Sequence, residues 1–409
     1  MPDKQRVFAV AGALAACLAL VCCAVAAEPV KTVEVRETQG LDRRGEPVCI
    51  AIGDLEGPLA VRTPDGAEVS AQITGAGEDR MLWFAVSVPA GETRTYIVIP
   101  GEPGAPAHPL KVKGKALKQK VRVATAHYHA ELMPKSGALH QFILPGEPSE
   151  RIYNAFGPVH WNPGLVAGAK GEKPRGWMHA FQWKPAPGLS ESRGPLVYEV
   201  RRKGPLPRYP EAEADIRYHF FATQPYVIMQ SSVRFVKDLH VRILRNGELV
   251  FAPDLFTHVA CRDRDGKLHT AEIAEAAELD FASSPDDPWL AFYNPETGLA
   301  VATIRLKVTN TGPDGGEPVL VDYRLPITRH TENPRYAFVH WARVLIWAKG
   351  KSPGEAPATK VPAGNVYFER EAWLPFRLAE DAKKRPEAML KPVDAAAERL
   401  LHPLKVEVR

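Results

Sequence analysis

The sequence reads as an all-β protein: a small sandwich or barrel, then a much larger double sheet, and a short helix near the C-terminus. Three observations carry this reading. Short apolar runs alternate with polar residues at a period of two, the pattern of strands with one buried face. The 38 prolines and 31 glycines are spread through 409 residues rather than gathered in repeats, as many turn-joined strands require. Hardly any segment has helical periodicity.

In residues 28–108 the runs TVEV (32–35), VCIAI (48–52), LWFAVSV (82–88) and TYIVI (95–99) are bounded by turn chemistry such as Pro64-Asp65-Gly66. Residues 101–109 are rich in Gly and Pro, and Lys111, Lys113, Lys115, Lys118 and Lys120 are too charged for a core, so the boundary falls there. Residues 118–378 carry many further runs, at 127–132, 139–144, 196–201, 216–222, 227–236, 249–252, 299–309, 319–325 and 336–347. A region of that length built of strands predicts a large double sheet, not a doubly wound α/β domain. The tail, 379–409, holds one Ala-rich helical segment at 394–401, with Asp394 as its cap.

Residues 1–27 place Lys4 and Arg6 before an uncharged apolar run that ends in Val25-Ala26-Ala27, the pattern of an export signal and hence of a periplasmic or extracellular protein. An uncleaved anchor is the alternative, disfavoured by the small-residue end, and Leu14-Ala15-Ala16-Cys17 weakly resembles a lipobox. After cleavage no stable membrane span is expected. Only Cys49 and Cys261 of the five cysteines remain, too few for a disulfide framework, and buried free thiols are the expected state. Loss of Asp3, Lys4 and Arg6 takes the formal charge from +4 to +3, too small to argue for nucleic acid and only weakly compatible with an acidic glycan.

Several segments resemble secreted bacterial polysaccharide-lyase-like proteins: LDRRGEPV (41–48), HYHAELMPKSGALHQFIL (127–144), HWNPG (160–164) and LRNGELVF (244–251). The resemblance implies an N-terminal RIFT-type barrel followed by a galactose-mutarotase-like β-supersandwich, as in the rhamnogalacturonan exolyase group. It supplies no set of catalytic residues, so the candidate site rests on chemistry.

The stretch NAFGPVHWNPG (154–164), with GWMH (176–179) and FQW (181–183), concentrates imidazole, carboxamide and indole groups on loops. Indole faces stack on sugar C–H surfaces, polar tips orient hydroxyls, and a histidine moves protons near neutral pH. His160 is the candidate base or acid, with Tyr218 or His219 as complementary proton carrier. Arg234, with Asn162, would stabilise an enolate-like intermediate. Trp161, Trp177 and His179 are candidate sugar contacts, joined by Asn246, Glu248, His340 and Arg343. Each has a structural alternative: indoles in sandwiches are commonly core, Tyr218 alternates with the apolar set, Asp215-Arg217-His219 could be a solvated charged face, and Glu248 could simply pair with an arginine. Alternation puts Arg242, Leu244, Asn246 and Glu248 on one face.

His127, His129 and Glu131 share a strand face, but its span is too long for three ligands to meet on one ion, so no cofactor is expected and a structural ion such as Ca²⁺ is not favoured. No nucleophile elbow, SxxK, phosphate loop or dinucleotide fingerprint occurs. The expected partner is a poly- or oligosaccharide. The leading reading is a secreted lyase that cleaves an acidic glycan by β-elimination; the alternative is a non-catalytic glycan-binding or cell-surface structural protein. A glycoside hydrolase or sugar epimerase on the same scaffold ranks third.

Overall fold

The computed structural model describes residues 28–146, 149–273, 281, 283–331, 337–378 and 385–409; the leader at 1–27 lies outside them. Among these residues the protein is all-β, with antiparallel strands in five sheets and one α-helix.

The N-terminal sandwich packs two sheets over a closed apolar core. In Met81–Val88, Leu82, Phe84, Val86 and Val88 point inward and meet Val33, Val35 and Val98 of the opposing sheet. The five-stranded sheet is completed by the far end of the chain. Lys405–Val408 pairs with Lys31–Arg36, so the last strand adjoins the first. Arg43, fully buried, locks this return: it donates to the carbonyls of Arg399 (2.7 Å) and His402 (2.6 Å) and faces Glu37 at 3.4 Å.

The larger part layers a nine-stranded sheet against a six-stranded one over a single continuous core. A further five-stranded sheet begins at the edge strand Lys111–Lys113, whose lysines are exposed. Charge on an edge strand discourages pairing with other chains.

Two sequence expectations give way here. The run at 319–325 makes only isolated bridges, Val321 to Ile346 and Arg324 to Val344, because Pro318 and Pro326 flank it and Asp322 adopts a left-handed φ of 49°. The helix spans Pro386–Leu401, so Asp394 is interior and caps nothing. Proline suits the first helical position, where no N–H is needed. Packing of Met389, Leu390, Val393, Ala396 and Ala397 then holds the helix despite Pro392. The Asp394 carboxylate instead receives Arg262 at 2.6 and 2.7 Å and the Trp289 indole at 3.1 Å. Tyr336, at the start of another predicted run, lies outside the described residues. Cys49 and Cys261 are free thiols, each pushed by burial up to about 12.

Arg43→Ala should destabilise the protein by about 3–5 kcal/mol, since it leaves Glu37 and two carbonyls buried without their cation. Chemical denaturation checks this, with exposed Arg44→Ala changing stability by less than about 0.5 kcal/mol.

Candidate functional site

The six-stranded sheet assembles a pocket around an irregularity in its central strand. On a regular strand, residues three apart point to opposite faces. In Leu239–Phe251 the pairing with Phe338–Ile346 jumps from Asn246 opposite Arg343 to Glu248 opposite Ala342, leaving Gly247 as a bulged extra residue. Its φ is +52°, and an added Cβ would sit 2.4 Å from Glu369 Oε1, so glycine meets both the backbone and the space requirement. The bulge turns Glu248 to the side of Arg245, and the two bond at 2.8 Å.

Neighbouring strands complete the pocket. Gly164 lies opposite both Arg245 and His179, and its missing side chain makes room for a bond from His179 Nδ1 to Asn162 Oδ1 at 3.0 Å. His340 and the pair His330–Phe338 come from the opposite flank. Trp161, Trp177 and Trp347 close the walls around a cavity of about 290 Å³. That is near the lower end of the size range of small-molecule sites. The Arg245 guanidinium lies between two indoles, 4.6 Å from the Trp177 ring and 4.4 Å from Trp347. Trp177 also stacks on His179, and His330 on His340.

Burial sets the protonation states. It lowers His179 to about 3, with Arg245 adding to the effect, and holds His340 well below the ordinary imidazole range, so both rings are neutral at pH 7. Burial raises the Glu248 carboxyl, against the pull of Arg245. Glu248 Oε2, His340 Nδ1 and Trp177 Nε1 are buried without a hydrogen-bond partner among the described residues. Buried polar atoms are nearly always paired in native proteins, so three in one pocket point to a polar ligand.

Of the residues singled out from sequence, Trp161, Trp177, His179, Glu248 and His340 line this pocket. Asn162 stands behind it as the partner of His179. The four proposed catalytic residues do not converge on it. His160 and Tyr218 are fully buried, 2.5 Å apart, with Arg202 donating to the phenol at 2.8 Å and Trp373 against the imidazole. The HWNPG loop is pulled into the core because His160 bridges to Leu249 of the sheet. His219 is on the outer face of the nine-stranded sheet, bonded to Glu199 at 3.0 Å and packed on Trp83, beside the Arg201–Asp215 pair. Arg234 is exposed on an adjacent strand and does not reach Glu248. Asn246, separated from Glu248 by the bulge, accepts from Ser231 at 2.7 Å. Arg343 faces the sheet interior and pairs with Glu369 and Glu371. Glu131 is saturated by Lys120, Arg122 and Gln141. Among the described residues no group of three His, Cys, Asp or Glu side chains could hold a metal ion, and no helix is long and apolar enough to cross a membrane.

Sequence reasoning missed Arg245, His330, Phe338 and Trp347. The signal for Arg245 was present: a glycine inside an apolar strand marks a bulge, and a bulge reverses the alternation that had put Asn246 with Glu248.

No protein-family model matches the chain, and no curated protein matches it. Among solved structures it is similar to an α-mannosidase from Enterococcus faecalis V583, at 11% identity and a TM-score of 0.52 over 93% of this chain and 46% of that one. It is likewise similar to a glycosyl hydrolase family 38 protein from Enterococcus faecalis, at 11% identity and a TM-score of 0.52, covering 93% and 47%. The chain thus spans about half the length of these proteins and shares the fold of that half. A galactose mutarotase-like protein from Lactobacillus casei ATCC 334 aligns with 63% of this chain and 100% of its own, at 9% identity and a TM-score of 0.39.

Two outcomes test this geometry. Gly247→Ala should cost at least about 2 kcal/mol in denaturant unfolding, through its positive φ and its overlap with Glu369. His179 stays neutral when folded but takes a proton near pH 6.5 when unfolded, so it makes stability fall as pH drops from about 6.5 toward about 3. His179→Gln should flatten the pH dependence of unfolding in that window by up to about 1.4 kcal/mol per pH unit.

Proposed function

We propose that the protein is carbohydrate-active and that this pocket receives one sugar unit of a glycan. The observation that carries the reading is the conjunction of three indole walls with three buried polar atoms that lack partners. Indole and phenyl faces match the C–H surface of a pyranose, while Glu248 Oε2, His340 Nδ1 and Trp177 Nε1 match its hydroxyls. The fold shared with half of an α-mannosidase is compatible with that role.

The finer reading is a lyase. In β-elimination a base removes the proton α to a uronate carboxylate, a C=C bond forms, and the glycosidic C–O bond breaks as its oxygen takes up a proton. In this pocket Arg245, held in place by Glu248, would meet the carboxylate, and neutral His340 or His179 would accept the α-proton and pass it to the departing oxygen.

A second reading, binding without turnover, draws on one observation. Both pocket imidazoles are held far below neutral pH, which makes them good hydrogen-bond partners and weak bases.

Incubation with pectin-, ulvan- and glycosaminoglycan-type polymers separates the two. Ultraviolet absorbance from unsaturated uronate is expected for a lyase and should disappear in Glu248→Gln. Saccharide binding without new absorbance supports the second reading. On either reading Trp177→Ala should weaken binding at least about tenfold, and exposed Arg234→Ala should leave it unchanged. Absence of binding to every polymer tested contradicts both.

A further inference from the structure

A second cavity, of about 340 Å³, lies where the N-terminal sandwich, the outer face of the nine-stranded sheet and the end of the C-terminal helix meet. Its apolar wall is a fixed aromatic cluster. Trp83 packs on Phe221 at 5.7 Å, Phe221 meets Tyr226 at 6.0 Å, and the Trp83 indole is held by Thr74 at 3.0 Å.

The charges opposite that wall are arranged unfavourably for the protein alone. A register shift in Leu299–Thr311 sets Lys307 directly across from Arg370 of Val366–Arg377. Residues paired in this way point to the same side of the sheet, and like charges there repel. Neither has an ion pair or a hydrogen bond among the described residues, and the Arg370 Nε is buried without an acceptor. Burial pulls Arg370 below the ordinary guanidinium range, as expected for a cation lacking a counter-charge.

The one carboxylate lining the cavity, Glu46, is turned to Arg43 at 3.4 Å and makes no ion pair with Arg370 or Lys307 among the described residues. The cavity therefore combines a half-buried cation without a partner, Arg370, and an exposed one beside it, Lys307, with an aromatic wall. That pairing fits a ring with one apolar face and one anionic substituent.

The geometry points to a second ligand site here, for an anionic sugar ring whose carboxylate or sulfate bridges Arg370 and Lys307 while its C–H face lies on the aromatic wall. The site is separate from the pocket around Arg245 and does not depend on what that pocket takes. It would let the protein hold an acidic glycan at two places.

The test is titration calorimetry on the full chain carrying Trp177→Ala, which disables the first pocket and keeps the two proposals distinguishable. The probes are digalacturonate, galactose 6-sulfate and galactose. Binding of the carboxylated or the sulfated sugar is expected, with the stronger one naming the anion. Affinity should fall at least tenfold in Arg370→Gln, recover in part in Arg370→Lys, and weaken as salt is raised. Thermal melting checks that each variant is folded. The proposal is overturned if folded Trp177→Ala protein binds neither anionic sugar, if Arg370→Gln binds them equally well, or if neutral galactose binds as tightly as both.

Discussion

The ion pair between Arg245 and Glu248 is the constraint around which the larger sheet pair is organised. Two charges taken out of water are costly unless they meet each other and other favourable groups. Here the guanidinium is flanked by the faces of Trp177 and Trp347, which supply attraction to the cation without water. Gly247 inserts one residue into the strand and so brings the pair to one face, and its missing side chain leaves room for Glu369, which pairs with Arg343. A second buried network, of Arg343 with Glu369 and Glu371, thus packs against the first at one glycine.

This arrangement explains why the pocket is electrically quiet. Arg245 and Glu248 largely cancel, and the field of Arg245, added to burial, keeps His179 and His340 neutral. Neutral imidazoles and a carboxyl raised by burial suit hydroxyl-rich ligands, which need both donors and acceptors, better than they suit free ions. The outer cavity is the reverse case, with two cations whose neighbouring carboxylate, Glu46, is turned to Arg43 instead.

The alternation of apolar and polar residues made the fold legible. Runs such as Leu82 to Val88 specify both a strand and the face it buries, and local pattern suffices for that. The errors arose where a single residue changes the geometry. Asp322 in a left-handed conformation ended an apparent strand, and buried contacts carried the helix back past Pro392 to Pro386. Five site residues were legible as chemistry, since indoles, imidazoles and a carboxylate between apolar strands needed some role. Which of them share a space was not legible. His160 has the setting of a loop residue, but its bridge to Leu249 draws it inward, and the bulge at Gly247 takes Glu248 off the face that alternation shares with Asn246 and sets it beside Arg245.

The most direct measurement of the central claim is a crystal structure with an oligosaccharide soaked or co-crystallised. A sugar ring is expected against Trp161, Trp177 or Trp347, with hydroxyls bonded to Glu248 Oε2 and His340 Nδ1. A pocket left empty while the sugar binds elsewhere, or a strand in which Arg245 and Glu248 point to opposite faces, would contradict it.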